Sequence, residues 1–195
     1  LNFKLETHKD GTATYFREYL RDYMKKWAEE NKKSDGSDYD IYKDGLKIYT
    51  TIDSRMQLHA EEAVTAHMAN LQEEFFNQSK GNKNAPFVNI STAETQKILN
   101  QAMKSSNRWA VMKSMDKSEE EIIKSFSEKA KMTVFSWKGE KDTIMTPLDS
   151  IRYYKHFLQS GLMAMEPQTG NIKAWVGGIN YKYFQYDHVG QGARQ

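Results

Sequence analysis

Hydrophobic residues recur at steps of three and four along most of the chain, and this spacing predicts amphipathic helices. A first helix is predicted over residues 11–33, and a long second helix follows Asp53 and fades near Gly81. Shorter helices are predicted to begin at about Ser91, Trp109, Ser118 and Thr146. We expect the buried faces of the first two helices to carry apolar side chains, among them Phe16, Leu20, Tyr23, Met24, Trp27, Met56, Leu58, Ala60, Val64, Met68 and Leu71.

Alternating hydrophobic and polar residues predict short strands in three regions. One strand is predicted at 45–52, a pair at 132–137 and 142–145, and a second pair at 162–165 and 171–176 around a turn at 167–170. The prediction is an α+β fold: a largely helical region with one or two short antiparallel strand pairs, which ends in a β-hairpin.

Composition narrows the class of protein. The 195-residue chain is 38% hydrophobic and 12% aromatic, which is enough for a packed core, and its net charge is only +2. A nearly balanced charge gives no reason to expect a nucleic-acid partner. The chain has no cysteine, so disulfides, thiolate metal sites and cysteine nucleophiles are excluded. No apolar run reaches the roughly 18 to 20 residues that a membrane helix needs.

Two segments are similar to one protein family. The first runs from Gly45 to Val64 and begins GLKIYTTID; the second runs from Met163 to Gly178 and is followed by Gln191 and the pair at 194–195. In this order they resemble the class A penicillin-binding proteins, which are bifunctional peptidoglycan synthases. The resemblance is strongest at these two segments and weakest at 80–130.

The resemblance implies a division of the chain into three parts. Residues 1–44 would end the glycosyltransferase region, residues 45–160 would form a linker domain with a helical insertion at about 85–130, and residues 161–195 would begin the transpeptidase domain with its first β-hairpin. In this family an Arg-Gln pair is followed at once by Pro-Gly-Ser, and that serine is the one acylated, so Arg194 and Gln195 would border the active site. We therefore expect an internal, non-catalytic stretch that stops before the nucleophile.

Short matches to the catalytic motifs of this family occur in the chain, but their order and position favour chance. Residues 114–117 fit Ser-x-x-Lys, residues 105–107 fit Ser-x-Asn, and residues 168–170 differ from Lys-Thr-Gly at one position. The family has the first two motifs in the opposite order, and residues 168–170 are better explained as a hairpin turn.

Other candidate chemistry also has a structural explanation. Adjacent carboxylates at 61–62 and 119–121 point to different sides of a helix, so they predict a solvated face and a capping box instead of an acid–base pair. His59 and His67 have no third ligand spaced with them, which favours structural histidines over a metal site. The aromatic residues at 181–186 either stack on carbohydrate or pack against the rest of the domain, and packing is favoured.

As the resemblance implies, the longer protein would polymerise lipid-linked disaccharide-peptide and cross-link peptidoglycan peptides through an acyl-enzyme. We predict no catalytic, cofactor-binding or metal-binding residue in this chain and no cofactor. The resemblance also implies a periplasmic position, anchored in the cytoplasmic membrane through a segment outside the chain. Expected partners are the peptidoglycan precursor, its peptide stem and cell-wall assembly proteins.

Two alternatives to this interpretation stay open. The chain could be a binding or scaffold module whose surface at 85–130 docks an assembly partner, or a free-standing small protein of unknown role. The hairpin at 162–176 is apolar and has an exposed edge, and such edges invite pairing with another chain, so we also expect a homodimer.

Overall fold

The computed structural model describes residues 11–82 and 84–191, and this part contains six helices and two antiparallel strand pairs. The helices are α1 (Thr14–Glu30), α2 (Ser54–Gln78), α3 (Thr92–Lys104), α4 (Asn107–Ser114), α5 (Glu119–Ser127) and α6 (Pro147–Lys155). The strands are β1 (Ala130–Val134), β2 (Lys141–Met145), β3 (Leu162–Met165) and β4 (Ile172–Val176). The predicted α+β class is confirmed.

The chain divides into two compact units, one made of residues up to 70 and from 159 onward, the other of residues 71–158. In the first unit β3 and β4 form a hairpin, with Met163 opposite Trp175. The buried residues Tyr15, Trp175 and Tyr181 form its aromatic centre. The Tyr15 and Tyr181 rings meet edge to face with centroids 5.0 Å apart, a favoured aromatic geometry. This centre joins α1, β4 and the loop after β4.

The second unit has its own core. Met103, Trp109, Ile122 and Phe126, from α3, α4 and α5, are buried together, and residues of α6 pack against them. Burying a side chain of this size contributes about 1.5–3 kcal/mol. The β1–β2 hairpin lies in this unit and pairs in register from Ala130↔Met145 onward.

Capping boxes set the beginnings of two helices in the second unit. Ser91 caps α3 and Ser118 caps α5, and in each case the glutamate three residues later returns a hydrogen bond to the cap backbone. The backbone N–H of Ser91 lowers the pKa of Glu94, and that of Ser118 lowers the pKa of Glu121. The box at Ser118 is the one that the sequence predicts.

These caps predict an acid-sensitive second unit. A carboxyl whose folded pKa is depressed stabilises the fold above its unfolded pKa, and this contribution is lost as the pH falls through the folded pKa. We expect helix content to fall below the ordinary glutamate pKa of 4.5. The variant Glu94→Gln/Glu121→Gln retains cap acceptors without the ionisation, so its circular dichroism should change less between pH 7 and about pH 3. Equal acid transitions in the two proteins would contradict this assignment.

One predicted strand is wrong. Residues 45–52 form no strand, and in the described chain each sheet has two strands. At the outer edge of β4, Thr51 Oγ1 donates to Ile172 O (2.8 Å), and Asp53 N, just after this stretch, donates to Lys173 O (3.0 Å). Asp53 then turns the chain into α2, because its Oδ1 accepts from the backbone of Arg55 (2.9 Å). The ladder therefore stops before it becomes a strand.

The buried faces of the first two helices also differ from prediction. On α1 the buried residue is Tyr15, while Tyr23 is 56% exposed. On α2, Met56, Leu58 and Leu71 are exposed. The buried positions of α2 are Gln57, Ala60, Val64, Met68 and Gln72, which recur at steps of three and four. The apolar stripe thus has glutamines at both ends.

The first strand of the β1–β2 hairpin begins and ends earlier than the predicted 132–137. The chain leaves the ladder after Val134 because the next backbone groups bond elsewhere. Phe135 N donates to Tyr154 Oη (3.2 Å), and Phe135 O accepts from Tyr153 Oη (2.7 Å). The hydroxyls of two α6 tyrosines thus replace the partner strand as hydrogen-bond partners of the Phe135 backbone. The predicted pair at 162–165 and 171–176 is confirmed as β3 and β4.

Candidate functional site

The loop after β4 leads toward Arg194 and Gln195, the two residues predicted to border an active site. Both lie outside the described residues, so that prediction stays open. The described part of the loop, residues 177–191, contains no helix or strand, yet Tyr181 and Asp187 in it are buried. Backbone hydrogen bonds such as His188 N to Gly177 O (2.8 Å) and side-chain contacts together fix this loop.

Gln57 of α2 binds the backbone of β4 at two points. Its side chain is 1% exposed. Its Oε1 accepts from Trp175 N (2.7 Å) and its Nε2 donates to Trp175 O (2.9 Å). Both backbone groups of Trp175 are therefore satisfied by one side chain, at an edge where no third strand of the described residues pairs. A buried peptide group left without these partners would cost about 1–3 kcal/mol.

Glu61 extends this contact to the start of α1. Its Oε1 accepts from Gln57 Nε2 (2.8 Å) and from Ala13 N (2.7 Å), the residue before α1. Its neighbour Glu62 is exposed and faces His59, with Nδ1 and Oε2 3.6 Å apart. The predicted solvated face is therefore correct for Glu62 and wrong for Glu61, because Glu61 is half-buried and holds the backbone before α1.

Asp187 holds the loop against the Trp175 side chain. Trp175 Nε1 donates to Asp187 Oδ2 (2.9 Å). The other carboxylate oxygen accepts from Val189 N (2.9 Å) and Gly190 N (3.1 Å), which folds the loop around it. Three donors satisfy this buried carboxylate, as a buried charge requires. Trp175 is therefore fixed by α2 through its backbone and by the loop through its ring nitrogen.

The pair Gly177–Gly178 leaves room for this packing. A Cβ on Gly177 would lie 2.4 Å from Asp187 Oδ1, and one on Gly178 would lie 2.4 Å from Tyr15 Oη. Tyr15 Oη in turn donates to Phe184 O (2.6 Å), and burial raises the pKa of Tyr15 well above its ordinary value, so the phenol stays a donor. The glycine pair of the second family-like segment thus has a steric reason.

The residues that match the catalytic motifs by chance make structural contacts. Ser114 Oγ donates to Val111 O (2.7 Å), while Lys117 Nζ contacts Glu121 Oε1 at 3.3 Å. Ser106 caps α4, and residues 167–170 form the β3–β4 turn. None of these contacts joins a serine to a lysine as acyl-enzyme chemistry needs.

The aromatic residues at 181–186 divide between packing and exposure. Tyr181 is 9% exposed and belongs to the aromatic centre, which fits the favoured packing alternative. Tyr186 is half exposed, and its hydroxyl donates to Gln191 O (2.7 Å). In this segment Tyr181 is therefore packed, while Tyr186 keeps about half of its surface exposed.

Over residues 11–82 and 84–191, no group of three or more His, Cys, Asp or Glu side chains is arranged to hold a metal ion. In the same part of the chain, no helix combines the length and the apolar character needed to cross a membrane.

Three residues of this network were missed from the sequence: Tyr15, Gln57 and Asp187. Gln57 could have been found, because a glutamine that falls in phase with Ala60 and Val64 on an apolar stripe needs buried hydrogen-bond partners. For Asp187 no periodic pattern surrounds the residue, so only the three-dimensional contact with Trp175 reveals it.

Comparison with known proteins gives two matches. A family model for the penicillin-binding protein middle domain matches residues 82–158, the region that includes the predicted insertion at 85–130. Penicillin-binding protein 1A of Rickettsia bellii (strain RML369-C) is 24% identical over 212 residues, which cover 98% of this chain and 25% of that protein. The chain thus spans about a quarter of the length of the curated relative that it matches. No solved structure matches. The family model and the relative together support the assignment of this chain to the class A penicillin-binding proteins.

Proposed function

We propose that this chain is a non-catalytic part of a bifunctional cell-wall synthase, and that it positions a segment of the active site. The longer protein would polymerise lipid-linked disaccharide-peptide and cross-link peptidoglycan peptides through a serine acyl-enzyme. The observation that carries the proposal is the clamp of Gln57 on Trp175, with Asp187 on the other side. Through it, helix α2 positions the loop that continues toward Arg194 and Gln195.

A positioning role fits the chemistry of the described residues. The polar groups of the clamp are buried and bonded to each other and to backbone, which suits rigidity and leaves none of them directed at a substrate. The rate of acylation depends on precise placement of the reacting serine, and misplacement by about 1 Å can lower the rate about 100-fold. The clamp would supply such placement from a distance.

Labelled penicillin tests the proposal. We expect no covalent adduct on the 195-residue chain, because Ser114 and Lys117 engage different partners. We expect an adduct on the longer protein encoded by the gene, together with penicillin-sensitive cross-linking of polymerised lipid-linked precursor. An adduct on the short chain would overturn the non-catalytic role. A longer protein that neither binds penicillin nor polymerises precursor would overturn the synthase assignment.

The same proposal includes location and assembly. The longer protein would be anchored in the cytoplasmic membrane with this chain on the periplasmic side. The outer edge of β3 pairs with no strand in the described residues, and Met163 and Met165 on it are 45% and 47% exposed. The homodimer expected through this edge stays a prediction.

A second candidate function is docking of a cell-wall assembly protein on the second unit. Val111 and Met115 lie four residues apart at the end of α4 and are 42% and 65% exposed. Met115 is the C-cap residue that ends α4, and exposed apolar side chains grouped at one helix end favour a protein partner. Pull-down with Val111→Ser/Met115→Ser tests this candidate, and retention of the same partners by the variant would count against it.

A further inference from the structure

An open groove lies in the first unit between α1 and the loop after β4. Tyr19 and Tyr23 of α1 are 48% and 56% exposed and line it together with the polar side chains of Glu18, Asp22, Lys26, Gln185 and Gln191. Tyr15, Tyr181 and Asp187 lie at its base. The groove thus combines aromatic surfaces with carboxylate and carboxamide groups, and none of these is used by the clamp except Asp187.

Tyr19 and Tyr23 form a pair of aromatic platforms. Residues four apart on a helix are neighbours on one face, about 5–6 Å apart at Cβ. Tyr19 is held in place because its ring stacks on Trp175, with centroids 5.0 Å apart and an angle of 29° between planes. A ring fixed in this way loses little freedom when a ligand covers its exposed side, which favours binding.

The charges in the groove favour a neutral ligand over a cation. Glu18 is paired with Arg21, and Asp22 Oδ1 lies 3.8 Å from Lys25 Nζ. Asp187 is satisfied by three donors from Trp175, Val189 and Gly190. Arg21 and Lys25 balance the charges of Glu18 and Asp22, and the exposed oxygens of these two carboxylates can still accept hydrogen bonds. A sugar ring matches such a surface, since it has an apolar C–H face for the tyrosines and hydroxyls at its edge.

We propose that the Tyr19–Tyr23 groove binds an oligosaccharide, namely a segment of the β-linked N-acetylhexosamine glycan that the longer protein would polymerise. The choice of this sugar rests on the proposed function, whereas the groove chemistry alone specifies a neutral saccharide. Two adjacent platforms suit consecutive rings of a chain better than a single sugar. The groove borders Gln191 and would therefore hold the glycan beside the segment that leads to Arg194.

Titration of the 195-residue chain with chitohexaose, a soluble β-linked N-acetylglucosamine oligomer, tests the inference by calorimetry or NMR. We expect saturable binding that is weakened about tenfold by Tyr23→Ala, since loss of one stacking platform costs about a factor of ten. Tyr49→Ala is the matched control, because Tyr49 is 89% exposed in the same unit and does not line the groove. Melting temperatures should be equal for the two variants.

The salt dependence of binding distinguishes a saccharide ligand from a basic ligand. Binding of neutral chitohexaose should be unchanged between about 0.05 and 0.5 M salt, since screening acts on charges only. The inference is overturned by absence of binding, by equal affinities of the Tyr23→Ala and Tyr49→Ala variants, or by a groove that binds only a lysine-containing stem peptide in a salt-sensitive way. Penicillin labelling and precursor polymerisation by the longer protein are independent readouts, so failure of the groove leaves the proposed function separately testable.

Discussion

Replacement of Gln57 by leucine is expected to lower the free energy of unfolding of the first unit by about 2–6 kcal/mol, because two buried groups of Trp175 lose their partners at about 1–3 kcal/mol each. Leucine fills a similar volume but can neither donate nor accept. The loss should appear in chemical denaturation of the 195-residue chain. It should also appear as faster hydrogen exchange of the Trp175 amide, which donates to Gln57 in the native protein.

Gln78→Leu is the matched control for this substitution. Gln78 is the last residue of the same helix and is exposed, so its replacement should change stability by no more than about 0.5 kcal/mol. If the two leucine variants are equally stable and exchange the Trp175 amide at the same rate, the clamp contributes nothing and the assignment is wrong.

Gln57→Glu distinguishes hydrogen-bonding geometry from packing. The introduced carboxylate can accept from Trp175 N but cannot donate to Trp175 O, and it lies beside Glu61. Burial next to a like charge raises its folded pKa above the unfolded value, so its protonated form is stabilising at low pH and this contribution is lost as the pH rises. Relative to the native chain, the variant should therefore be least impaired in acid and most impaired at neutral pH.

The sequence predicted the secondary structure better than the site. Helices α2 and α5 and the β3–β4 hairpin follow from periodicity and cap residues, because those signals are local. The strand at 45–52 failed because alternation describes side chains and does not show whether an edge is available for pairing. The edge of β4 is occupied by Thr51, Asp53 and the Gln57 side chain.

The site could not be predicted because its contacts are distant in sequence. Gln57 and Trp175 are 118 positions apart, and Tyr15 and Phe184 are 169 apart. The family resemblance drew attention to both segments but could not show that one side chain joins them. A buried polar residue on an apolar stripe is the one local signal, and Gln72 repeats it in the second unit: its Nε2 donates to His156 O and its Oε1 accepts from Leu158 N, both at 2.8 Å.

Substitution of Gly178 by alanine is expected to destabilise the first unit by about 3 kcal/mol, at the upper end of the range for overpacking. The added Cβ would lie 2.4 Å from Tyr15 Oη and 2.9 Å from Tyr15 Cζ. Tyr15 cannot easily move, because it is 4% exposed, packs against Tyr181 and donates to Phe184 O. Denaturation of the 195-residue chain, followed by aromatic circular dichroism, measures the loss.

The double variant Tyr15→Phe/Gly178→Ala shows whether the clash with the hydroxyl is the cause. Tyr15→Phe removes the atom nearest to the new Cβ, so the double variant should be more stable than the sum of the single losses by about 1 kcal/mol or more. Gly36→Ala provides a control, since Gly36 has a φ of +83° and nothing within 4 Å of the added Cβ. The loss of stability in Gly36→Ala reports backbone strain alone. In the double variant Tyr15→Phe/Gly36→Ala, the two losses of stability should therefore be additive. If the losses of stability in Tyr15→Phe and Gly178→Ala are also additive in their double variant, Gly178 is required for a reason other than the approach of Tyr15.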